Sequence, residues 1–335
     1  MPNCGTQCWL CDLPIRFDTY SGCSHNCKYC FVQRKKELDV GFAETKDSLI
    51  SFINKKRTSK TNWCDWDIPL HWGGLSDPFQ PCEREYKRSL EALKVFAKTK
   101  YPVIISTKGR ICVEKPYIDL IHEANCVMQI SMLCSKYDIL EQGAPPFEER
   151  LDMVKTLAPI CKRLIIRAQL YIHDIFEDMK INIPRFAQAG AYGVIFEGMK
   201  FVKKKPGLVK SGGDFVQRKD ILEKDFSVLR ELCHKNGLKF YSGENRLRAM
   251  GDSLTCCGIE DLDGFKPNKF NLNHLLNQDK QEPTSKMCEV GTAECFCSLN
   301  QTTEFRRATR SASFEKMMRY FYEEKKNYVN SVMIG

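Results

Sequence analysis

Short runs of apolar residues alternate with amphipathic segments over most of the chain. The apolar runs, which predict buried strands, cover residues 68–75, 103–107, 127–133, 164–171, 193–197 and 238–242. The segments with helical spacing cover residues 81–98, 115–124, 146–157, 183–189 and 220–235. Strands that alternate with helices in this way predict a parallel sheet with right-handed crossovers.

About six or seven βα units fit into residues 14–250, which favours an α/β fold of the partial or full TIM-like (βα)6-7 barrel type over a doubly wound sheet. In either fold, the chemistry is expected at the carboxyl ends of the strands. We predict a cysteine-rich N-terminal segment at 1–13, the barrel at 14–250 and a cysteine-rich C-terminal extension at 251–335. The extension should end in an amphipathic helix at 309–330, and residues 203–213 should form a loop.

Composition narrows the class of protein. Of the 335 residues, 43% are apolar and 28% are charged, which is typical of a globular chain and excludes a disordered one. No apolar run is long enough for a membrane span, and the first residues do not resemble a signal peptide, so a cytoplasmic location is expected. The formal net charge of +9 favours acidic partners, either a nucleic acid or a phosphorylated or carboxylated substrate.

The 18 cysteines are unusual for a cytoplasmic chain of this length, because clustered thiols in a reducing compartment usually hold metal. Cys23, Cys27 and Cys30 have the spacing C-x3-C-x2-C, which lets one loop bind three irons of a [4Fe-4S] cluster. The fourth iron then stays open for a chelating ligand. A zinc site is the alternative, but it needs a fourth ligand nearby, and His25 is badly spaced for that role.

A second group of thiols has the same spacing. Cys4, Cys8 and Cys11 lack an aromatic residue before the last cysteine, and they precede the first strand. They predict a second metal centre that holds either zinc or an auxiliary iron-sulfur cluster. A further ligand would come from the C-terminal cysteines Cys256, Cys257, Cys288, Cys295 and Cys297. The alternative is a set of free thiols in a loop-rich region.

The loop sequence resembles that of the radical S-adenosylmethionine (radical SAM) enzymes, in which an aromatic residue, here Tyr29, precedes the third cysteine. Residues 18–23 leading into 29–31 look like the branch that contains spore photoproduct lyase. Three further motifs follow in the order of that branch, at 76–81, 106–108 and 141–146, the last followed by Arg150. The resemblance covers residues 14–250 and implies a radical SAM barrel.

The resemblance also implies roles for individual residues. Cys23, Cys27 and Cys30 would ligate the cluster, and its open iron would chelate SAM. Reductive cleavage of SAM would yield a 5′-deoxyadenosyl radical, with electrons from a donor such as flavodoxin or ferredoxin. The residues expected to contact SAM are Tyr29, Phe31, Gly73, Gly74, Ser76, Asp77, Lys108, Ser131, Arg167 and Ala168.

The substrate side of the site is less clearly marked. Spore photoproduct lyase carries a hydrogen-donor cysteine directly before its Ser-Asp pair, where this chain has Leu75. Polar and aromatic residues near two strand ends, Glu197, Tyr241, Glu244 and Asn245, are candidates for binding a flat heterocycle. Two carboxylates and an aromatic face suit a guanine-like ring, so the leading hypothesis is a lyase for the small deazaguanine base queuine. No catalytic side chain is predicted.

Two alternatives remain open. A DNA photoproduct or lesion repair lyase is favoured by the family branch and by the net positive charge, and is opposed by Leu75. A non-enzymatic, zinc-bearing protein that binds nucleic acid would explain the cysteines but not the ordered strand and helix motifs.

Overall fold

The structure is a computed structural model that describes residues 2–4, 10–30, 40–56, 68–211, 214–268, 271, 273 and 274. Several predicted features lie outside the described residues, namely Cys8, Phe31, the cysteines at 288, 295 and 297, and the terminal helix at 309–330. None of the helices in the described part is long and apolar enough to cross a membrane.

The main sheet contains seven parallel strands and one short antiparallel edge strand. The strands of the chain are β1 (Asn3–Cys4), β2 (Ile15–Phe17), β3 (Tyr20–Ser21), β4 (Gly41–Phe42), β5 (Leu70–Trp72), β6 (Val103–Thr107), β7 (Cys126–Ser131), β8 (Arg163–Tyr171), β9 (Gly193–Gly198), β10 (Lys200–Phe201), β11 (Leu208–Ser211), β12 (Asp214–Gln217) and β13 (Lys239–Ser242). The order in the main sheet is β1-β2-β5-β6-β7-β8-β9-β13. The predicted partial barrel is therefore confirmed, with β2 and β13 as the two ends of its parallel part.

Helices cover the outer face of this sheet. They are α1 (Lys46–Ile53), α2 (Glu83–Tyr86), α3 (Arg88–Thr99), α4 (Tyr117–Glu123), α5 (Phe147–Leu157), α6 (Phe176–Gln188) and α7 (Lys219–Lys235). In α7 the buried positions Leu222, Phe226, Leu229 and Cys233 recur every three or four residues, so one face packs on the sheet. The helices bury the outer face of the sheet, and the residues of β6 to β9 on that face are almost all apolar.

The inner face of the barrel begins with an apolar layer. Ile104, Val127, Ile165, Ile195 and Tyr241, one residue from each of five neighbouring strands, belong to one buried apolar cluster. Residues 257–265 cover this layer from the amino ends of the strands. The barrel is thus closed by apolar packing at one end, which leaves its carboxyl end for chemistry.

Several elements differ from the sequence prediction, among them α2 with α3, α6 and β11. The predicted helix at 81–98 is split because Lys87 adopts a left-handed conformation with φ of 52°. Helix α6 begins seven residues before the predicted start, with Glu177 and Asp178 in its first turn. The predicted loop at 203–213 contains β11, which pairs with β12 in a small antiparallel sheet, because a partner strand is available nearby in the fold.

The aromatic cluster under α7 gives a stability prediction. The Phe226 ring lies 5.8 Å, 5.9 Å and 5.6 Å from the ring centres of Tyr171, Phe196 and Phe240. Phe226→Ala should lower the free energy of unfolding by about 3–5 kcal/mol, because it leaves a cavity in a packed core. Denaturant unfolding measures this loss. The matched control on the same helix is Val228→Ala, since Val228 is 43% exposed, and it should cost less than about 0.5 kcal/mol. Equal effects of the two substitutions would contradict the packing described here.

Candidate functional site

The loop that carries Cys23, Cys27 and Cys30 follows β3 and lies over the carboxyl ends of β5, β6 and β7. It begins at Gly22, whose φ of 76° is left-handed. Cys27 is buried and the other two cysteines are half-buried, and all three are free thiols. One loop therefore presents three unpaired thiols at the end of the barrel where the chemistry is expected.

Gln80 and the 140–143 turn fasten the loop to the barrel. The Gln80 side chain accepts a hydrogen bond from the Ser24 amide at 2.8 Å and donates to the Gly22 carbonyl at 3.3 Å. The amide of residue 28 donates to the carbonyl of residue 140 at 2.8 Å. A side chain at Gly143 would place its Cβ 2.6 Å from the Ser24 carbonyl oxygen, so glycine is required for this close approach.

His25 and Asp77 form a buried pair beneath the loop. The His25 Nδ1 lies 2.7 Å from the Gly143 carbonyl oxygen, and its Nε2 lies 3.2 Å from Asp77 Oδ2. Asp77 also accepts hydrogen bonds from the Thr107 hydroxyl at 2.6 Å and the Lys108 amide at 2.6 Å. Burial by itself would raise the pKa of Asp77, but the His25 charge and these hydrogen bonds outweigh it and lower the pKa to about 2. The carboxylate of Asp77 is thus occupied by the protein and positions the loop.

A second buried pair holds Tyr29. The Tyr29 hydroxyl donates to Glu141, whose carboxylate is also paired with Arg150. Arg150 donates to the Ser131 carbonyl at 2.7 Å and lies 3.3 Å from Asp138. Burial raises the pKa of Glu141, and the charge of Arg150 opposes this effect. The ring orientation of Tyr29 is therefore set by a network that ties the loop to β7 and α5.

The surroundings of Cys23 and Cys27 favour the protonated form of each thiol. Burial, and then the charge of Asp77, raise the pKa of Cys23 to about 12. Burial raises the pKa of Cys27 to about 11, although the Lys108 ammonium acts in the opposite direction. Metal binding supplies the positive charge that such thiolates need.

Gly73 and Gly74 continue from β5 into the space beside the loop. Gly73 has a φ of 91°, and a Cβ there would lie 2.1 Å from the Ser106 carbonyl oxygen. A Cβ on Gly74 would lie 3.3 Å from the Arg16 side chain. Both the backbone conformation and the contact with β6 therefore require glycine at 73.

Asp18 shapes the segment after these glycines. Its Oδ1 accepts hydrogen bonds from the Leu75 amide at 3.2 Å and the Ser76 amide at 3.4 Å. Burial raises the pKa of Asp18 to about 7, and the two amides only partly offset it. The Ser76 hydroxyl donates to the Tyr20 carbonyl at 2.6 Å, so this predicted SAM ligand is engaged with β3.

A polar layer lies inside the barrel, one step above the apolar layer. The Ser106 hydroxyl lies 2.9 Å from His71 Nε2 and donates to Gln129 Oε1 at 2.9 Å. Arg167 donates to Gln129 Oε1 at 3.0 Å and to Gln169 Oε1 at 2.6 Å. Burial lowers the pKa of His71, and the Arg167 charge adds to the effect, so the imidazole is neutral. These groups form one connected set that faces the carboxyl end of the barrel.

Sequence reasoning found Arg167 but missed His71, Gln129 and Gln169. The signal that could have found the inward-facing residues is a pair of positions two residues apart on one strand, the first apolar and the second polar. Both residues of such a pair face the same side of the strand. It appears as 104/106 in β6, 127/129 in β7 and 165/167 in β8. Neighbouring Ala168 faces the opposite way and is fully buried in the outer core, so only its backbone faces the interior.

Of the four predicted substrate residues, the structure brings Glu197 to the polar layer. Glu197 accepts a hydrogen bond from Gln169 at 2.9 Å, and Lys200 lies 3.8 Å away. Tyr241 is fully buried in the apolar layer and donates to Glu260 at 2.9 Å. Its ring is therefore packed against protein instead of lying open at the strand ends.

Glu244 and Asn245 are also engaged with neighbouring protein groups. Glu244 is buried and lies 2.9 Å from the Arg246 Nε. Asn245 accepts hydrogen bonds from Arg248 at 3.0 Å and from Asn273 at 3.2 Å. Of the predicted second metal centre, Cys11 lies beside Cys256 and Cys257, and Cys4 is the second residue of β1.

The amino-acid sequence was compared with known protein families and with curated proteins. No protein-family model matches the chain. Uncharacterized proteins of Mycobacterium bovis and Mycobacterium tuberculosis are each 25% identical to it over 206 residues, which is 56% of this chain and 59% of the relative. The chain thus spans about three fifths of the length of the curated relatives it matches.

Solved structures of radical SAM enzymes share the architecture. A variant of spore photoproduct lyase with dinucleoside spore photoproduct gives a TM-score of 0.56 at 16% identity, covering 69% of this chain and 77% of that one. SuiB of Streptococcus suis bound to S-adenosylmethionine gives a TM-score of 0.50 at 12% identity, covering 69% of this chain and 51% of that one. The chain therefore has the TIM-like barrel fold of these radical SAM enzymes, as its motifs predict.

The pKa of Asp77 predicts a pH-dependent contribution to stability. A fall from the ordinary 3.8 to about 2 corresponds to about 2 kcal/mol. Because the folded pKa is the lower one, this contribution is fully present above about pH 4 and is lost as the pH falls through about 2. Unfolding free energies of the wild type and Asp77→Asn should therefore converge as the pH falls from about 5 to about 2. Asp119→Asn, at an exposed ion pair, is the control, and a constant difference for Asp77→Asn would contradict the prediction.

Proposed function

We propose that this protein is a radical SAM enzyme in which Cys23, Cys27 and Cys30 bind a [4Fe-4S] cluster. The observation that carries this proposal is the three unpaired thiols on one loop, anchored over the carboxyl ends of parallel strands. When bound, the reduced cluster and SAM supply a 5′-deoxyadenosyl radical that removes a hydrogen atom from the substrate. A one-electron donor such as flavodoxin or ferredoxin would reduce the cluster.

The protein's own groups would bind and orient the cofactor. Tyr29, held by Glu141, would offer its ring to SAM, and the bare backbone at Gly73–Gly74 would admit the cofactor closely. Lys108 is mostly buried and lies 3.7 Å from Glu141, so its ammonium could pair with a carboxylate that enters the site. Ser76 and Asp77 would act by shaping the loops, since their side chains already bind the protein.

The polar layer is the proposed substrate-binding surface. Arg167, Gln169 and Glu197 present a guanidinium, an amide and a carboxylate in hydrogen-bonded sequence. Such groups pair with the donor and acceptor edges of a nucleobase. Ser106 and Gln129 are buried, and Arg167, Gln169 and Glu197 are half-buried, so a bound substrate would shield this layer from water. A nucleobase-like substrate is therefore the class we propose.

Within this class, a lyase that acts on a nucleic-acid photoproduct has more support than a queuine lyase. The fold is shared with a spore photoproduct lyase variant whose structure contains dinucleoside spore photoproduct, and the net charge of +9 suits a phosphodiester. Tyr241 and Glu244, on which the queuine hypothesis depended, are engaged elsewhere. Leu75 stands where that enzyme has its hydrogen-donor cysteine, so a photoproduct lyase built on this chain would need another donor.

The cluster assignment is tested by replacing its ligands. The triple variant Cys23→Ala, Cys27→Ala, Cys30→Ala should form no 5′-deoxyadenosine above background when it is incubated anaerobically with SAM and dithionite. Chromatography with mass spectrometry measures the product. Cys161→Ala is the control, because Cys161 is a half-buried thiol at the opposite end of the barrel, and it should keep wild-type activity. Reductive cleavage by the triple variant would contradict the assignment.

The substrate class is tested with two candidate substrates. The wild type should consume dinucleoside spore photoproduct, and Glu197→Gln should lower its affinity for that substrate by about 10–100-fold, because one charged hydrogen bond contributes about 1.5–3 kcal/mol. SAM affinity should stay unchanged. Glu231→Gln, on the exposed face of α7, is the control. Consumption of queuine and not of the photoproduct would contradict the proposed ranking and return the small-heterocycle hypothesis.

A further inference from the structure

A cluster of thiols lies where the two ends of the parallel sheet approach each other. Asp12 directly precedes the region of β2, and Cys256 and Cys257 follow β13. The two segments are joined by hydrogen bonds from the Asn268 amide to the Asp12 carbonyl at 2.7 Å and from the Cys256 amide to Asp12 Oδ2 at 3.3 Å. In the described part of the chain, β2 and β13 do not pair with each other, so this contact spans the gap in the barrel.

The ligand atoms of Asp12, Cys256 and Cys257 all lie within 4.8 Å of one another. The two sulfurs are 3.8 Å apart. Two thiolates on one tetrahedral zinc ion, each with a Zn–S bond of about 2.3 Å, are separated by about 3.8 Å. The sulfurs that bind a [4Fe-4S] cube lie farther apart, because each binds a different iron. The spacing therefore fits a single ion.

Cys11 supplies a further thiol beside this set. It packs against the same buried cluster as Cys256 and Cys257. Cys11 is half-buried, and its sulfur accepts a hydrogen bond from the Leu13 amide at 3.4 Å. Two thiols and one carboxylate thus come together, with the Cys11 thiol beside them, from segments more than 240 residues apart in the sequence.

The surrounding groups orient and balance such a site. Asp12 Oδ1 lies 2.7 Å from His274 Nε2 and accepts a hydrogen bond from Asn271 at 3.1 Å, which leaves Oδ2 facing the thiols. Second contacts of this kind fix the orientation of metal-binding carboxylates. Arg248 is buried, its Nη1 lies 3.7 Å from Asp12 Oδ2, and its guanidinium also interacts with the Cys256 thiol. Zinc with three thiolates and one carboxylate would carry a net charge of about −2, and Arg248 would offset part of it.

We infer that Cys11, Asp12, Cys256 and Cys257 form a tetrahedral zinc site that joins the two ends of the partial barrel. Zinc suits the thiolate-rich donor set and needs no open coordination position when it serves the fold. The site is separate from the proposed cluster and goes beyond the proposed function. Its role is to hold the segments that flank β2 and β13 together, and so to stabilise the wall of the barrel.

Metal analysis of anaerobically purified protein tests the inference. The wild type should contain about one zinc ion per chain, and the double variant Cys256→Ser, Cys257→Ser should lose it. Cys161→Ser, outside the site, should keep the zinc. The triple alanine variant of Cys23, Cys27 and Cys30 should also keep the zinc. Loss of the proposed iron-sulfur cluster can therefore be distinguished from loss of the zinc ion. Zinc retention by the double variant would overturn the inference, and so would loss of iron and sulfide in place of zinc.

A second measurement uses the wild-type chain and does not depend on how the variants fold. Protein freed of zinc by a chelator should have a lower unfolding temperature, and zinc should restore it. Cobalt(II) added in place of zinc should give the visible absorption of a tetrahedral, thiolate-bound ion. Absence of that absorption, or a disulfide between Cys256 and Cys257 in the anaerobic wild type, would contradict the site.

Discussion

The candidate site depends on two buried ion pairs that hold one loop against the ends of three strands. His25–Asp77 and Glu141–Arg150 are all 8% exposed or less, and each acid also accepts hydrogen bonds from neighbouring groups. Removing one partner of such a pair leaves an uncompensated buried charge, which typically costs about 3–5 kcal/mol. The position of the thiols is therefore a consequence of electrostatics inside the barrel, because the loop itself has few regular backbone hydrogen bonds.

The barrel interior has two layers with different tasks. The lower layer is apolar and closed by residues 257–265, so it stabilises the fold by burial. The upper layer joins His71, Gln129, Arg167 and Glu197 through an unbroken set of hydrogen bonds. Buried polar groups are tolerated only when they are satisfied in this way. A substrate that enters this layer must replace some of these bonds, which makes the layer selective for a ligand with matching donors and acceptors.

In the described residues, the partial barrel has a gap where β2 and β13 do not pair with each other. Residues 10–13 and 251–268 cover this gap, with Arg163 holding the second segment through hydrogen bonds of 2.7 Å to Gly258 and Asp261. A zinc ion at Asp12 and the neighbouring thiols would add a covalent link at the same place. The proposed iron-sulfur cluster would thus serve chemistry at the strand ends, and the proposed zinc ion would stabilise the wall of the barrel.

The amino-acid sequence alone determined the alternation of strands and helices, the cysteine loop and the family resemblance, because each depends on residues close together in the chain. Strand β6 agrees with its prediction at both ends, since its apolar run is short and bounded by polar residues. Tertiary structure decided which side of each strand faces inward, and this placed Tyr241 in the apolar layer and Glu197 in the polar one. It also decided that Cys11 meets Cys256 and Cys257, because contacts between distant segments depend on how the sheet curves and not on local spacing.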